Sequence, residues 1–153
     1  MQRPTIEDAI LLATQLHKGQ VDKAGAPYIL HPLRVMLNPI LTTETERITA
    51  VLHDVVEDCE MSFETLSELG YTDETIRALG FLTKHLEEEN DYFRFIARIS
   101  EGSELARMVK FADLKDNEDL SRISNPTEKD FKRQKKYQRA IEILENSFLR
   151  DRL

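Results

Sequence analysis

Apolar side chains recur along this chain mostly every three or four residues, the period of a helix rather than of a strand. Ile6, Ile10, Ala13 and Leu16 form one such stripe, and Thr5 with Asp8 has the spacing of an N-terminal cap. They predict a first helix from about Thr5 to Lys18. Gly25 and Pro27 mark a loop from Gly19 to Leu30. A short helix opens at His31-Pro32, where the missing proline N–H costs nothing, and runs to Leu37. Further helices are predicted over Thr43 to Asp58, Ser62 to Leu69, Thr72-Asp73 to Lys84 and Asp91 to Ile99. Ser103 caps a helix to Leu120. After the Asn125-Pro126 turn, Thr127 opens the last one, to about Phe148. Strand-like alternation is rare and glycine is scarce, with five in 153 residues. The prediction is an all-α bundle forming one domain over residues 1–153, with no repeat or interdomain linker.

Composition narrows the classes. A chain of this size can bury roughly 70% of its unfolded surface. With 41% hydrophobic and 32% charged residues it reads as an ordinary globular protein. No apolar run approaches the roughly 18 residues of a membrane span. The amphipathic start, carrying Glu7 and Asp8, lacks the basic and apolar pattern of a signal peptide. The expected compartment is the cytoplasm. A net charge of -7 argues against nucleic-acid binding. An anionic ligand would then need positive charge from a metal or from clustered Lys and Arg. The single cysteine, Cys59, excludes an internal disulfide and a multi-thiolate zinc site, and is read as a small apolar residue.

Candidate chemistry collects on the predicted third helix. With His53 at 0°, Glu57 falls at about 40°, Asp54 at about 100° and Asp58 at about 140°. Ile48, Leu52, Val55 and Val56 take the opposite side, so one face can enter a core while the other presents a histidine and three carboxylates. Asp113 lies one turn beyond Val109, at the edge of the stripe Leu105, Met108, Val109 and Ala112. A carboxylate there is costly unless it is paired, for example with Lys110 or Arg107, or metal-bound. His31 opens a helix after Pro27-Tyr28-Ile29-Leu30. The spacing His-x21-His-Asp-x58-Asp can close around one divalent cation. Two imidazoles and two carboxylates without sulfur suit Mn, Fe, Zn, Co or Ni. Such a cation would activate a water and neutralise charge on a phosphorus under attack. Glu57 and Asp58 are placed to take the water proton and to protonate a leaving oxygen, in either assignment.

These residues and their flanks resemble the hydrolase domain of the RelA/SpoT family within the HD superfamily. The matching stretches are His17-x-Gly19-Gln20, Lys23-Ala24-Gly25-Ala26-Pro27-Tyr28-Ile29-Leu30-His31-Pro32, Leu52-His53-Asp54-Val55-Val56-Glu57-Asp58 and Val109-Lys110-Phe111-Ala112-Asp113-Leu114-Lys115-Asp116-Asn117. The resemblance covers roughly Ala9 to Asn117. It implies an HD-type helical bundle that acts on guanosine tetra- and pentaphosphate. It further implies manganese held by His31, His53, Asp54 and Asp113, with Glu57 and Asp58 as catalytic carboxylates. Lys23, Tyr28 and Asn117 would line the nucleotide site. Two places depart from the family pattern. Asp22 stands where an Arg usually packs on the guanine. Leu114 to Leu120 replaces a run that commonly reads Arg-Leu-His-Asn-Met-Arg-Thr after the last metal Asp.

The expected function is a metal-dependent pyrophosphohydrolase that releases diphosphate from a phosphorylated nucleotide. The departures favour, as an alternative, an HD-type hydrolase of another nucleotide or phosphate monoester. A non-catalytic nucleotide-binding module is the third reading. Elsewhere, Lys132-Arg133-x-Lys135-Lys136 reads as a solvated face opposite a buried stripe of Phe131, Tyr137, Ile141, Leu144 and Phe148. His17 reads as a structural partner of the loop, His85 as a surface residue, and Tyr92 and Phe93 as core. The oligomeric state is not legible.

Overall fold

The computed structural model describes residues 2–153. Its elements in order are α1 (Ile6–His17), α2 (Leu30–Met36), α3 (Glu44–Val51), α4 (Val55–Asp58), α5 (Phe63–Glu68), α6 (Asp73–Leu82), α7 (Tyr92–Ser100), α8 (Glu104–Asn117) and α9 (Glu128–Asp151). A single 3-10 turn, Leu86–Glu88, joins α6 to α7. Among the described residues the one β pairing is an isolated bridge between Val21 and Pro27. The all-α expectation therefore holds.

The expected caps at Thr5, Thr72 and Ser103 form, and Thr43, Ser62 and Thr127 cap the helices they were expected to open. Thr5 with Asp8, Thr43 with Glu46 and Thr127 with Asp130 form reciprocal capping boxes. Ser62, Thr72 and Ser103 each accept one backbone N–H of their helix. Each such side chain contributes about 1 kcal/mol by satisfying a donor the helix leaves open.

Helix α8 is the central element and packs against α2, α3, α6, α7 and α9. Leu105, Ala106, Val109, Ala112 and Leu114 bury its apolar faces. They join Leu41, Leu52, Leu66, Leu79, Ile96, Ile99 and Leu144 in one continuous cluster. Two predicted core residues lie outside it: Phe93 is 42% exposed and Phe131 is 48% exposed. Both sit on the outer side of an amphipathic helix, off the face that buries Phe95, Ile96 and Ile99 in α7 and Ala140, Ile141 and Leu144 in α9.

The predicted helix Thr43 to Asp58 is in fact two. It stops at Val51, turns through Leu52, His53 and Asp54, and restarts as one turn at Val55. The Ala50 carbonyl explains the break. In a continuous helix it would accept from the Asp54 N–H. Instead it accepts from the His53 N–H at 3.2 Å and from His53 Nδ1 at 2.7 Å. The helical-wheel placement of His53 and Asp54 therefore does not apply; the turn, not a helix face, aims them.

Away from this turn, Glu88 ties the 3-10 turn to α7. Its carboxylate, 4% exposed, accepts from Arg98 Nε at 2.7 Å, Arg98 Nη2 at 3.0 Å and the His85 N–H at 2.8 Å. Arg98 and the His85 N–H hold this carboxyl below its usual range, against burial. A depressed acid stabilises the fold above its unfolded pKa, and the effect is lost as pH falls through the folded one. Glu88→Gln should lower stability by about 2 kcal/mol at pH 7. That deficit should shrink below about pH 4.3, as read by urea denaturation across pH.

Candidate metal centre and its cleft

The His53 turn brings two imidazoles and two carboxylates to one place. His31, near the start of α2, and His53 and Asp54 each offer a ligand atom, all within 4.8 Å of one another. Asp113, near the end of α8, places Oδ1 at 2.8 Å from His31 Nε2 and 3.3 Å from His53 Nε2. Asp54 Oδ2 lies 3.0 Å from His53 Nε2 and 3.9 Å from His31 Nε2. Donor atoms about 2.1 Å from a cation and at right angles stand about 3.0 Å apart, so these spacings suit a single ion.

The hydrogen bonds on the far side of each ring favour the same arrangement. His53 Nδ1 donates to the Ala50 carbonyl, and His31 Nδ1 to Asp116 Oδ2 at 2.7 Å. Both acceptors are oxygens, so each ring could give up its Nε2 proton and turn that lone pair toward a cation in the shared space. His53 Nε2 is buried without a hydrogen-bond partner, although two carboxylates face it. Burial disfavours charging these rings. Asp113 and Asp116 outweigh it at His31, and Asp54 and Asp113 at His53, so both rings titrate above the ordinary histidine range. The site favours positive charge, a demand that a divalent cation would meet through the Nε2 lone pairs.

The carboxylates are held by fixed partners. Burial opposes ionisation of Asp113, but Lys110 and the two imidazoles bring it well below the usual range. Lys110 Nζ binds Asp113 Oδ2 at 2.8 Å, and Asn117 Nδ2 donates to Oδ1 at 3.1 Å. Asp54, opposed by burial, is drawn down to about 2, chiefly by His53. Tyr28 donates its hydroxyl to Asp54 Oδ2 at 2.5 Å, and burial and Asp54 push the phenol far up. Of the three residues expected to line a nucleotide site, Tyr28 and Asn117 thus touch the Asp54 and Asp113 carboxylates directly.

Glu57 and Asp58 stand on α4, just after the His53 turn, and are solvent-accessible. Partial desolvation, then the Asp54 charge, raises both above the ordinary carboxyl range. Burial and the neighbouring Asp58 push the Cys59 thiol up to about 11, which disfavours its thiolate near neutral pH.

A cleft of about 410 Å³ opens beside His31 and Tyr28. Lys23, Arg34, Asn117, Arg122, Arg133 and Tyr137 are among its walls, whereas His53, Asp54, Glu57 and Asp58 are not. That volume lies within the usual range for small-molecule sites. Most of its cations are already matched. Arg34 pairs with Asp116, Arg122 with Asp116 and Asp119, and Arg133 with Asp130. Lys23 makes no ion pair among the described residues. Desolvation and the nearby Arg133, Lys136 and Lys129 lower its pKa. The basic run on α9 is therefore divided: Lys132 and Lys135 are exposed, while Arg133 faces the cleft.

The structure gives both departures a local role. Asp22 Oδ1 accepts the Ala24 and Ala26 N–H groups at 2.9 Å each, and its backbone closes the turn onto Ala26. Gly25, at φ +85°, lets the chain reverse. An arginine at 22 could not accept those bonds. Asp116, read from sequence only as lost basicity, orients His31. The signal available was its place three residues after Asp113, one helical turn along the same face. His17 holds the loop as expected, through Gln20 Oε1 at 2.9 Å, and also touches Cys59 Sγ at 3.3 Å.

The chain is similar in sequence and in fold to several known proteins. A GTP pyrophosphokinase of Myxococcus xanthus is 38% identical over 66 residues, 42% of this chain and 9% of that protein. A guanosine-3′,5′-bis(diphosphate) 3′-pyrophosphohydrolase of Aquifex aeolicus is 30% identical over 119 residues, 73% of this chain and 17% of that protein. A solved structure, described as a metazoan ortholog of SpoT that hydrolyzes ppGpp, superposes with a TM-score of 0.78 at 23% identity. The superposition covers 94% of this chain and 88% of the other. The chain is a relative of the RelA/SpoT-type hydrolase domain. It spans less than a fifth of the length of these two curated relatives. No family model matches it. The structural likeness carries the HD-type helical bundle.

Lys110 is the fixed cation of this relative's centre. Lys110→Met leaves Asp113 without its buried partner, which should cost about 3 kcal/mol in the presence of chelator. Adding MnCl2 should recover part of the loss, because a cation that binds only the folded chain stabilises it. Urea melts with and without the metal measure both effects.

Proposed function

We propose that this chain is a divalent-metal phosphohydrolase, with residues 1–153 acting as one HD-type domain. Its reaction is release of the 3′-diphosphate from guanosine tetra- or pentaphosphate. The observation that carries the reading is the convergence of His31 Nε2, His53 Nε2, Asp54 and Asp113, with both Nδ1 nitrogens already bonded to oxygen. That donor set has the chemistry of a manganese site. The relatives named for 3′-pyrophosphohydrolase activity support the substrate class. The cytoplasm, where such nucleotides are made, is the compartment that fits.

His31, His53, Asp54 and Asp113 would hold the ion, which when bound supplies Lewis acidity at the phosphate and an activated water. The chain's own residues supply the rest. Glu57 and Asp58 have raised pKa values, which suits groups that accept a proton from the attacking water and return one to the leaving oxygen. Tyr28 and Asn117 keep Asp54 and Asp113 in place and border the cleft. Lys23 offers its unpaired ammonium to a phosphate. A phosphorylated nucleotide is the small-molecule partner, with no role for nucleic acid or membrane.

A second reading keeps the centre and changes the substrate to another nucleotide or phosphate monoester. The specific observation in its favour is the pairing of Arg34, Arg122 and Arg133 with carboxylates, which leaves the cleft with little net positive charge.

Diphosphate release from guanosine tetraphosphate by the chelator-stripped protein, with and without MnCl2, tests the first reading. Turnover should require the metal and vanish in Asp54→Ala. Glu57→Gln and Asp58→Asn should each lower kcat by about 10²- to 10⁴-fold. Metal binding without diphosphate release would rule out the alarmone substrate and send a phosphate-release screen to other nucleotides.

A further inference from the structure

The two ligand rings are oriented by different chemistry. His53 leans on a backbone carbonyl, which cannot move without the turn itself. His31 leans on the side chain of Asp116, which needs a brace of its own. Arg34 supplies it with two bonds, Nε to Oδ1 at 2.8 Å and Nη2 to Oδ2 at 3.1 Å. Arg122 adds Nη2 at 3.3 Å from Oδ1 and donates to the Asp116 carbonyl at 3.1 Å. The Asp116 side chain is 11% exposed, so little water competes for it. A line of contacts thus runs from Arg34 through Asp116 and across the His31 ring to Asp113 Oδ1.

We propose that Asp116 is a positioning residue for the metal: it locks His31 in the tautomer that presents Nε2 and makes that ring a stronger donor. Arg34 is the brace that keeps the Asp116 carboxylate in line. The proposal rests on the reading of His31, His53, Asp54 and Asp113 as a metal centre. A carboxylate behind a ligating imidazole fixes its orientation and raises its basicity, and losing such a partner typically weakens metal binding by about 10- to 100-fold. Position 116 commonly carries a histidine in the RelA/SpoT pattern, so this chain has its own solution to holding the ring. The same geometry turns Arg34 toward Asp116 and away from service as a free phosphate ligand.

The test is isothermal titration of MnCl2 into chelator-stripped protein, for the natural chain and for Asp116→Ala, Asp116→Asn and Arg34→Ala. Asp116→Ala should raise the manganese Kd by about 10- to 100-fold. Asp116→Asn retains an acceptor for the His31 N–H and should recover much of that loss. Arg34→Ala should fall between the natural chain and Asp116→Ala. A purely structural role, as a partner for two arginines, would lower thermal stability in all three variants without this ranked order of metal affinity. Should Asp116→Ala bind manganese as tightly as the natural chain, the positioning role is wrong while the metal centre stands. If the natural chain itself binds no divalent metal, the metal-centre reading fails and takes this proposal with it. Were Asp116→Ala not to fold, Arg34→Ala still decides, since a manganese Kd equal to the natural chain's in that variant overturns the role.

Discussion

Asp113 is a carboxylate on the helix that α2, α3, α6, α7 and α9 pack against, and its charge has almost no access to water. A buried anion of that kind is stable only when it is surrounded by positive charge and donors. Lys110 takes one oxygen, and Asn117 and the two imidazoles gather at the other. Much of the surrounding architecture follows from this need. Helix α2 must bring His31 against α8, and the chain must break after α3 so that His53 points the same way. Lys110, one turn before Asp113, meets part of the demand within the helix itself. The remaining demand is what makes the cluster suitable for a divalent cation.

Breaking α3 from α4 is the local device that makes the centre possible. A continuous helix would carry His53 and Asp54 about 100° apart around one axis. The turn releases them from that axis, and the Ala50 carbonyl fixes both the backbone and the ring of His53 in one place. The apolar neighbours on either side, Leu52 and Val55, are fully buried, so the turn is anchored in the core. Glu57 and Asp58 follow at once and share the electrostatics of Asp54 without joining its hydrogen bonds. Their raised pKa values set them apart from the drawn-down Asp54 and Asp113, in keeping with the division of roles proposed for the two pairs.

The two departures from the RelA/SpoT pattern change in meaning once their contacts are seen. Asp22 looked like the loss of a guanine-packing arginine, yet its carboxylate holds the loop that presents Lys23 and Tyr28. Asp116 looked like lost basicity, yet it backs His31 and gathers Arg34 and Arg122. Arg34, Arg122 and Arg133 in this cleft are all engaged by Asp116, Asp119 and Asp130, so the cleft is closer to neutral than a polyphosphate site built on free arginines. That balance is the physical ground for keeping a second substrate in view beside the alarmone.

The sequence alone determined the helices, their caps and the residue types of the centre. Those are local or periodic properties: a threonine three residues before a carboxylate caps a helix wherever it stands, and an apolar stripe predicts a buried face. It also carried His31, His53, Asp54 and Asp113 through their spacing and flanks. The structure decided the break at His53, because the apolar period runs on through Leu52, Val55 and Val56 and only the bond from the His53 ring to the Ala50 carbonyl marks the end of the helix. Lys110, three residues before Asp113, was already legible as its partner. The roles of Asp116 and Arg34 were decided by the tertiary structure. Asp116 and His31 are 85 residues apart, and Arg34 and Asp116 are 82 apart. No local pattern links residues at such separations; only packing α2 against α8 gives each charge its partner.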